Sequence, residues 1–205
     1  MKNNRQYELM RDAARQKLKD ADPVQLSVLT GLRWDGTAFE TETLGIPIRI
    51  CWPECRMIPE LDMWHDLTIL QYLANTVGTT PTGKFIAMSE FHSGGLARGT
   101  SFDRENERTI HRIGQHAPQM IRDAAIKLGG IELHEKSDLT FLFSFLPRIP
   151  MKLNLWLEDE DFPASGKVLF DASAENDLQI EAAGTAAAIC LSLLEKVIEQ
   201  QNLYI

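Results

Sequence analysis

A glycine-rich stretch at residues 92–99 is the clearest candidate for chemistry in this sequence. It holds three glycines within six residues, at 94, 95 and 99, and glycine lets backbone N–H groups approach a ligand closely. A helix expected just downstream favours an anionic group there, and Arg98 could add a bidentate contact to a phosphate or carboxylate. The predicted ligand-binding residues are His92, Ser93, Gly94, Gly95, Arg98 and Phe102.

The pattern of this stretch does not identify its ligand. It lacks the Gly-Lys-Ser/Thr of a Walker A loop and the Gly-x-Gly-x-x-Gly of a dinucleotide fingerprint. The alternative interpretation is a flexible connection between a strand and a helix. Binding of a cofactor or small molecule at residues 92–99 therefore stands as a hypothesis beside that structural one.

The histidines offer a second possibility. Glu107 and His111 are four residues apart and share a helical face, and His116 follows closely. Together with His92 they could form a metal site or an acid–base pair. The alternative is a solvated pair four residues apart on a helix. Because the pattern is not His-Glu-x-x-His, no metal site is predicted.

Two groups of carboxylates could also act in chemistry. Asp171 follows an apolar strand, and partial burial would raise its pKa and suit it to acid–base work. We favour the alternative that it accepts hydrogen bonds from the main chain of residues 172–177. Asp62, His65 and Asp66 form another candidate ligand group. Here we favour Asp62 as a helix cap, with His65 facing solvent or a backbone carbonyl.

The cysteines and one acidic turn complete the candidates. Cys51 and Cys55 would need ligands from another chain to hold zinc or an iron–sulfur cluster, and Cys190 fits apolar packing in a helix. Residues 158–161 are all acidic and could bind calcium or a basic partner, although such turns are usually solvated. Phe162-Pro163 is expected to lie beneath this turn.

Hydrophobic periodicity predicts the elements that must position these residues. The predicted helices cover residues 4–20, 63–77, a segment capped by Ser101 or Asp103, 118–128 and 178–200. The predicted strands cover residues 37–41, 44–52, 84–89, 131–134, 139–145, 151–157 and 167–170. This order indicates an α+β fold: a mainly antiparallel sheet, helices packed on one side, and a long C-terminal helix. We expect a single domain over 1–205, with an N-terminal surface helix within 1–22.

Composition narrows the classes of function. The net charge is -8, which argues against a general nucleic-acid binder and against an anionic membrane surface. No apolar run approaches the ~20 residues that a membrane span needs. The N-terminus lacks the apolar core of a signal peptide, and three cysteines imply no disulfide framework. A cytoplasmic protein is expected, whose partner is a small molecule or another protein.

Several motifs together resemble an uncharacterised family, domain of unknown function 3786. The resemblance covers roughly residues 35–200. The motifs are Leu70-Gln-Tyr-Leu73, Thr82-Gly-Lys-Phe85, Leu146-Pro-Arg-Ile-Pro150, Trp156, Asp159-Glu-Asp-Phe-Pro-Ala164, Leu169-Phe-Asp171, Glu175, Leu178 and Glu181. The resemblance implies an origin mostly among anaerobic bacteria and archaea. It also implies, for some members, an adjoining iron–sulfur domain of a type found in corrinoid-dependent one-carbon metabolism, a module that this sequence lacks. It implies no catalytic residues.

Three hypotheses follow. The first is a cofactor- or small-molecule-binding accessory protein of anaerobic metabolism, with a corrinoid or another tetrapyrrole as a possible ligand. The second is an enzyme that uses Asp171, His92 or His111 as acid–base groups. The third is a protein-interaction module whose acidic turn and first helix dock a partner.

Overall fold

The strands form two antiparallel sheets rather than the one expected from sequence. The computed structural model describes residues 5–92 and 96–202, apart from the side chains of residues 96–103 and 202. The first sheet has the order β1-β2-β3-β4. Its strands are β1 (Arg33–Trp34), β2 (Ala38–Thr43), β3 (Ile46–Cys51) and β4 (Arg56–Ile58).

The second sheet is built around the aromatic stretch in the second half of the chain. Its strands are β5 (Phe85–Ile86), β6 (Ile131–Leu133), β7 (Leu139–Leu146), β8 (Ile149–Trp156) and β9 (Ser165–Asp171), in the order β5-β9-β8-β7-β6. Alternate residues of β7 and β8 are fully buried, as the period of two predicts. The segment predicted as a strand over 84–89 pairs only at Phe85 and Ile86.

In the part of the chain that the structure describes, seven helices accompany the two sheets. They are α1 (Arg5–Leu18), α2 (Pro23–Thr30), α3 (Met63–Asn75), α4 (Leu96–Gly114), α5 (Pro118–Lys127), α6 (Ala174–Asp177) and α7 (Ile180–Asn202), with a 3-10 turn at Met88–Glu90. The α+β class and the long C-terminal helix are confirmed. Within the described residues, no helix has the length and apolar character needed to cross a bilayer.

Two helix starts differ from the predictions. α2 was missed because Asp22-Pro23 was expected only to end the first helix, which already ends at Leu18. Instead it begins the next helix: Asp22 Oδ1 accepts a hydrogen bond from Val24 N at 3.0 Å. α4 begins at Leu96, so Ser101 and Asp103 lie inside the helix and do not cap it. The glycine-rich connection is therefore shorter than expected.

The tip of the β2–β3 hairpin joins the two sheets. Leu44 N donates to Ser144 O at 3.1 Å, across the junction. Gly45 has a φ of +71°, and a Cβ there would lie 2.8 Å from the Leu128 carbonyl carbon. Glycine is required at this position both by the backbone conformation and by the close contact. The buried side chains of both sheets belong to one hydrophobic cluster.

Candidate functional site

A cleft between α4 and the start of β9 is the strongest candidate site. Its volume is about 890 Å³, within the range usual for small-molecule sites. One wall is α4, the other is the main chain that enters β9, and Trp156 closes one end. The lining residues are Arg104, Glu107, Arg108, His111, Arg112, Trp156, Pro163, Ala164, Ser165, Gly166 and Lys167.

Two glycines bring α4 close enough to β9 to form this cleft. A Cβ on Gly114 would lie 2.5 Å from Ala164 Cβ, and a Cβ on Gly166 would lie 2.9 Å from Ile110 Cγ2. Real Cβ contacts are not this short, so any larger residue would push the helix away from the strand. The small residues therefore set the width of the cleft.

The cleft is rich in positive charge although the protein is acidic. Arg112 is engaged, because its Nε and Nη2 donate to Glu195 at 2.5 and 3.1 Å and so raise its pKa. Among the residues whose side chains the structure describes, Arg108 pairs only with Glu105, at 3.2 Å, and both side chains are exposed. Such an exposed pair contributes little, so Arg108 can exchange it for a ligand. Lys167 is exposed and forms no ion pair with a described residue.

His111 faces the cleft with one ring nitrogen already committed. Its Nδ1 lies 3.2 Å from Ala164 O. A carbonyl oxygen only accepts hydrogen bonds, so Nδ1 carries a proton and donates it to this bond. In the neutral imidazole, Nε2 is then the nitrogen with the lone pair. Gln115 Nε2 approaches that nitrogen at 3.4 Å. His111 and Glu107 thus share one site, as their spacing suggests, but His116 does not line the cleft.

The side chains of Asp171, Glu175 and Asp177 bind the chain that leads to α4, and Asp177 makes the first set of these contacts. Asp177 accepts hydrogen bonds from Thr76 Oγ1 and from the backbone N–H groups of residues 77–79, at 2.6 to 3.2 Å. Asp177 is 1% exposed. Arg148, from the Leu-Pro-Arg-Ile-Pro motif, donates to the carbonyl oxygens of Gly78 and Val28. The motif residue therefore shapes the scaffold and lies apart from the cleft.

Asp171 has the same structural role. It is fully buried and accepts from Thr82 N and Oγ1, Gly83 N and Ser173 N at 2.6 to 3.0 Å. Burial alone would raise the pKa of Asp171, but the hydrogen bonds from Thr82, Ser173 and Gly83 outweigh it and hold the pKa below its usual value. The expectation of a raised pKa is wrong. The favoured hydrogen bond to the loop after the strand is confirmed at Ser173.

The predicted glycine-loop site is only partly described. His92 N donates to Glu175 Oε2 at 2.7 Å, and His92 Nδ1 lies 2.9 Å from Glu175 Oε1. The His92 side chain is otherwise 91% exposed. Residues 93–95 lie outside the described residues, and so do the side chains of Arg98 and Phe102, whose backbone belongs to α4. Ligand binding by this set stays a prediction.

The group at Asp62, His65 and Asp66 is structural. Asp62 caps α3, since its Oδ1 accepts from Trp64 N at 2.9 Å. His65 was expected to face solvent or a backbone carbonyl, but it is 3% exposed and its Nε2 lies 2.8 Å from Thr43 Oγ1. Burial lowers its pKa to about 4. Asp66 accepts from Tyr7 OH and Arg11 Nε, which attaches α1.

The remaining candidates are the metal-binding groups and the acidic turn. Within residues 5–92 and 96–202, no group of three or more His, Cys, Asp or Glu side chains is placed to hold a metal ion. Asp159 closes the acidic turn at residues 158–161 by accepting from the N–H groups of Asp161 and Phe162. Phe162 was expected beneath this turn but is 70% exposed. The hydrogen bonds of Asp159 therefore order the turn, while the Phe162 ring lies on the surface.

Comparison with known protein families identifies the family to which this chain belongs. A family model described as a domain of unknown function, DUF3786, matches residues 22–191. The chain belongs to this family. No curated protein and no solved structure matches the chain. The matched range includes every residue that lines the cleft and excludes α1.

Three cleft residues that could hold a ligand were not predicted as site residues. Lys167 was assigned only to a strand, Trp156 to a strand and to the family motifs, and Arg108 only to a charged helix. A signal was present in α4, where Arg104, Arg108 and His111 follow a helical spacing of four and three residues. That spacing places their side chains on one face, but the strand opposite cannot be read from it.

Proposed function

We propose that this protein is a small-molecule-binding accessory protein whose ligand occupies the cleft between α4 and β9. The observation that carries the proposal is the combination of Arg108 and Lys167 with the exposed indole of Trp156 in one cleft. Guanidinium and ammonium groups bind carboxylates and phosphates, and an indole binds flat apolar rings. The ligand therefore carries anionic groups and a planar part.

The proposal also includes the cellular compartment of the protein and the kind of organism that makes it. We place the protein in the cytoplasm of an anaerobic organism. Cys51, Cys55 and Cys190 are all free, as is usual in a reducing compartment. The net charge of -8 supports a small ligand over nucleic acid, because a polyanion would be repelled by the surface outside the cleft.

A corrinoid or another tetrapyrrole is one ligand class that suits this cleft. Histidines that bind a metal usually donate their second ring N–H to a carbonyl or carboxylate, and His111 makes such a bond to Ala164. His111 would hold the metal of the bound ring, and Arg108 and Lys167 would hold its carboxylates. The chemistry supplied by the metal would belong to the ligand itself.

The first test is ligand binding by thermal shift, with a panel of carboxylated and phosphorylated small molecules that includes haemin and cobalamin. We expect an anionic member to stabilise the wild-type protein, and Lys167→Glu and Arg108→Glu to abolish that shift. Lys127→Glu, an exposed change outside the cleft, is the matched control. A shift that survives both cleft substitutions would refute the proposed location.

The tetrapyrrole class has its own test. An absorbance spectrum with metal analysis, on protein purified without oxygen, reports a bound metal ring directly. Haemin titration should give an absorbance change that His111→Ala removes and His116→Ala keeps. If both variants behave as the wild type does, His111 is not the ligand.

The two alternative functions now rest on different residues. An enzyme would use His111 as its base, since the Asp171 carboxylate is fully occupied by hydrogen bonds from its own chain. An interaction module would use the exposed Phe162 beside the acidic turn. Neither alternative accounts for the concentration of positive charge in the cleft.

A further inference from the structure

Trp156 stands between two pockets that differ in chemistry. It is the last residue of β8 and is 38% exposed. One neighbour is the α4–β9 cleft, and the other is a second pocket of about 610 Å³. The second pocket is lined by His134, Glu135, Lys136, Ser137, Asn154 and Trp156. A ring stacked on the indole would therefore reach both pockets.

The second pocket offers hydrogen-bonding groups together with the positive charge of Lys136. Its Glu135 is already paired, because Lys152 Nζ lies 2.6 Å from Glu135 Oε1. Asn154 and Ser137 are uncharged, and both contact Thr140 Oγ1, at 3.4 and 2.5 Å. An amide and a hydroxyl can each form further hydrogen bonds, so the Asn154 NH₂ group and the second lone pair of Ser137 Oγ remain to bind a ligand. These groups suit hydroxyls and ring nitrogens, whereas the cleft suits anions.

The main chain of β9 adds a donor to the cleft. β5 pairs only with Phe170 and Asp171, so the earlier part of β9 has no strand partner on that side among the described residues. Ala172 N donates to Lys84 O at 2.8 Å. Because main-chain groups alternate sides along an antiparallel strand, the N–H of Gly166 points to the same, unpaired side. A Cβ on Gly166 would lie 2.4 Å from Asn154 O and 2.9 Å from Ile110 Cγ2, so the packing of the neighbouring strand and of α4 requires glycine there.

We propose that the ligand is a mononucleotide. Its phosphates bind Arg108, Lys167 and the Gly166 N–H, and its base stacks on Trp156. Its ribose, or the edge of its base, bonds to Asn154 and Ser137. This inference rests on the proposed function and names the ligand class of that site. Bases stack on exposed aromatic side chains whatever their identity, so the pocket beyond Trp156 selects the base.

Titration of the intact protein with AMP, ADP and ATP tests the inference, with inorganic tripolyphosphate as a phosphate chain without a base. We expect a nucleotide to bind at least about ten-fold more tightly than tripolyphosphate and to quench tryptophan fluorescence. Trp156→Leu should weaken nucleotide binding about ten-fold or more and remove the quenching. Trp64→Leu is the matched control, because Trp64 is also 38% exposed.

A second variant covers the case in which Trp156→Leu disturbs the fold. Asn154→Ala leaves the indole in place and should weaken nucleotides while tripolyphosphate binding stays the same. Equal affinity for tripolyphosphate and every nucleotide overturns the inference and leaves the proposed function standing. Binding of a tetrapyrrole but of no nucleotide would likewise overturn the nucleotide inference and leave the proposed function standing. Failure of every anion to bind overturns both.

Discussion

The segment at residues 76–84 and the α4–β9 cleft both depend on charged side chains, but in opposite ways. In the segment, Asp171 and Asp177 are at most 1% exposed, and each accepts four hydrogen bonds from the protein itself. In the cleft, Lys167 and Arg108 are exposed, and Arg108 has only a weak pair with its helical neighbour. The charged groups of the segment have all their hydrogen bonds from the protein itself, whereas those of the cleft do not.

The difference separates residues that define the family from residues that can bind a ligand. A buried carboxylate is stable only when its oxygens are hydrogen-bonded, so Asp171 and Asp177 have no capacity left for another molecule. Asp171, Arg148 and Thr82 belong to the motifs that carry the family resemblance, and all three shape this segment. The motifs thus describe a scaffold, and the candidate ligand groups lie mostly outside them.

The largest expected loss of stability comes from replacing one buried carboxylate with an amide. Asp177→Asn places an amide against four donors, and we expect the free energy of unfolding to fall by about 3 kcal/mol. Urea denaturation measures this loss. Asp161→Asn, on the exposed acidic turn, should change stability by less than about 0.5 kcal/mol. Equal losses in the two variants would contradict the distinction between saturated and exposed charge.

Low pH should destabilise the protein through His65, another buried titratable group. Burial lowers the pKa of His65 to about 4, whereas an unfolded histidine has a pKa of about 6.5. The unfolded state therefore binds the proton first, and stability falls as the pH is lowered from about 6.5 to about 4, by roughly 3 kcal/mol. His65→Gln should flatten the unfolding free energy over this window. A slope that persists unchanged would assign the effect to other groups.

The width of the cleft can be changed without touching a charge. Gly114→Ala improves helix propensity by about 1 kcal/mol, but its Cβ would lie 2.5 Å from Ala164 Cβ. We expect a net loss of about 1 kcal/mol, because overpacking usually costs about 1–3 kcal/mol. Ala164→Gly should relieve the clash, so the double variant should be more stable than the sum of the two single changes predicts. Additive effects, measured by urea denaturation, would contradict this packing.

The smallest effect is expected from the cleft charges themselves. Lys167→Gln and Arg108→Gln should each alter stability by less than about 0.5 kcal/mol, because neither side chain is saturated by the protein. Thermal unfolding without ligand measures this. A large loss from either change would show that the cleft, like the segment at 76–84, is part of the scaffold.

Sequence periodicity was sufficient for most elements and insufficient for the site. The strands around Phe141 and Met151 and the helix at Ile180–Asn202 were predictable because each has a long apolar pattern. The division into two sheets was not, since strand pairing depends on contacts between distant segments. The eight-residue α2 has no apolar stripe to reveal it.

The cleft could not be predicted for the same reason. Lys167 and Arg108 are far apart in the chain, and they meet only because Gly114 and Gly166 allow α4 to approach β9. A glycine inside a helix or strand appears in the sequence as a local weakness. Its role in permitting a close contact becomes visible only when the opposing surface is known.

The contact between the β2–β3 hairpin tip and the second sheet has a consequence for the order of synthesis. Leu44 and Gly45 are made early, but Ser144, the partner of Leu44, and Leu128, the neighbour of Gly45, come much later in the chain. At usual rates of translation, the roughly 100 residues that separate Leu44 from Ser144 take about 5 to 20 s to make. During that interval the hairpin can contact α3, through Thr43 and His65, but the second sheet that its tip will join is still incomplete.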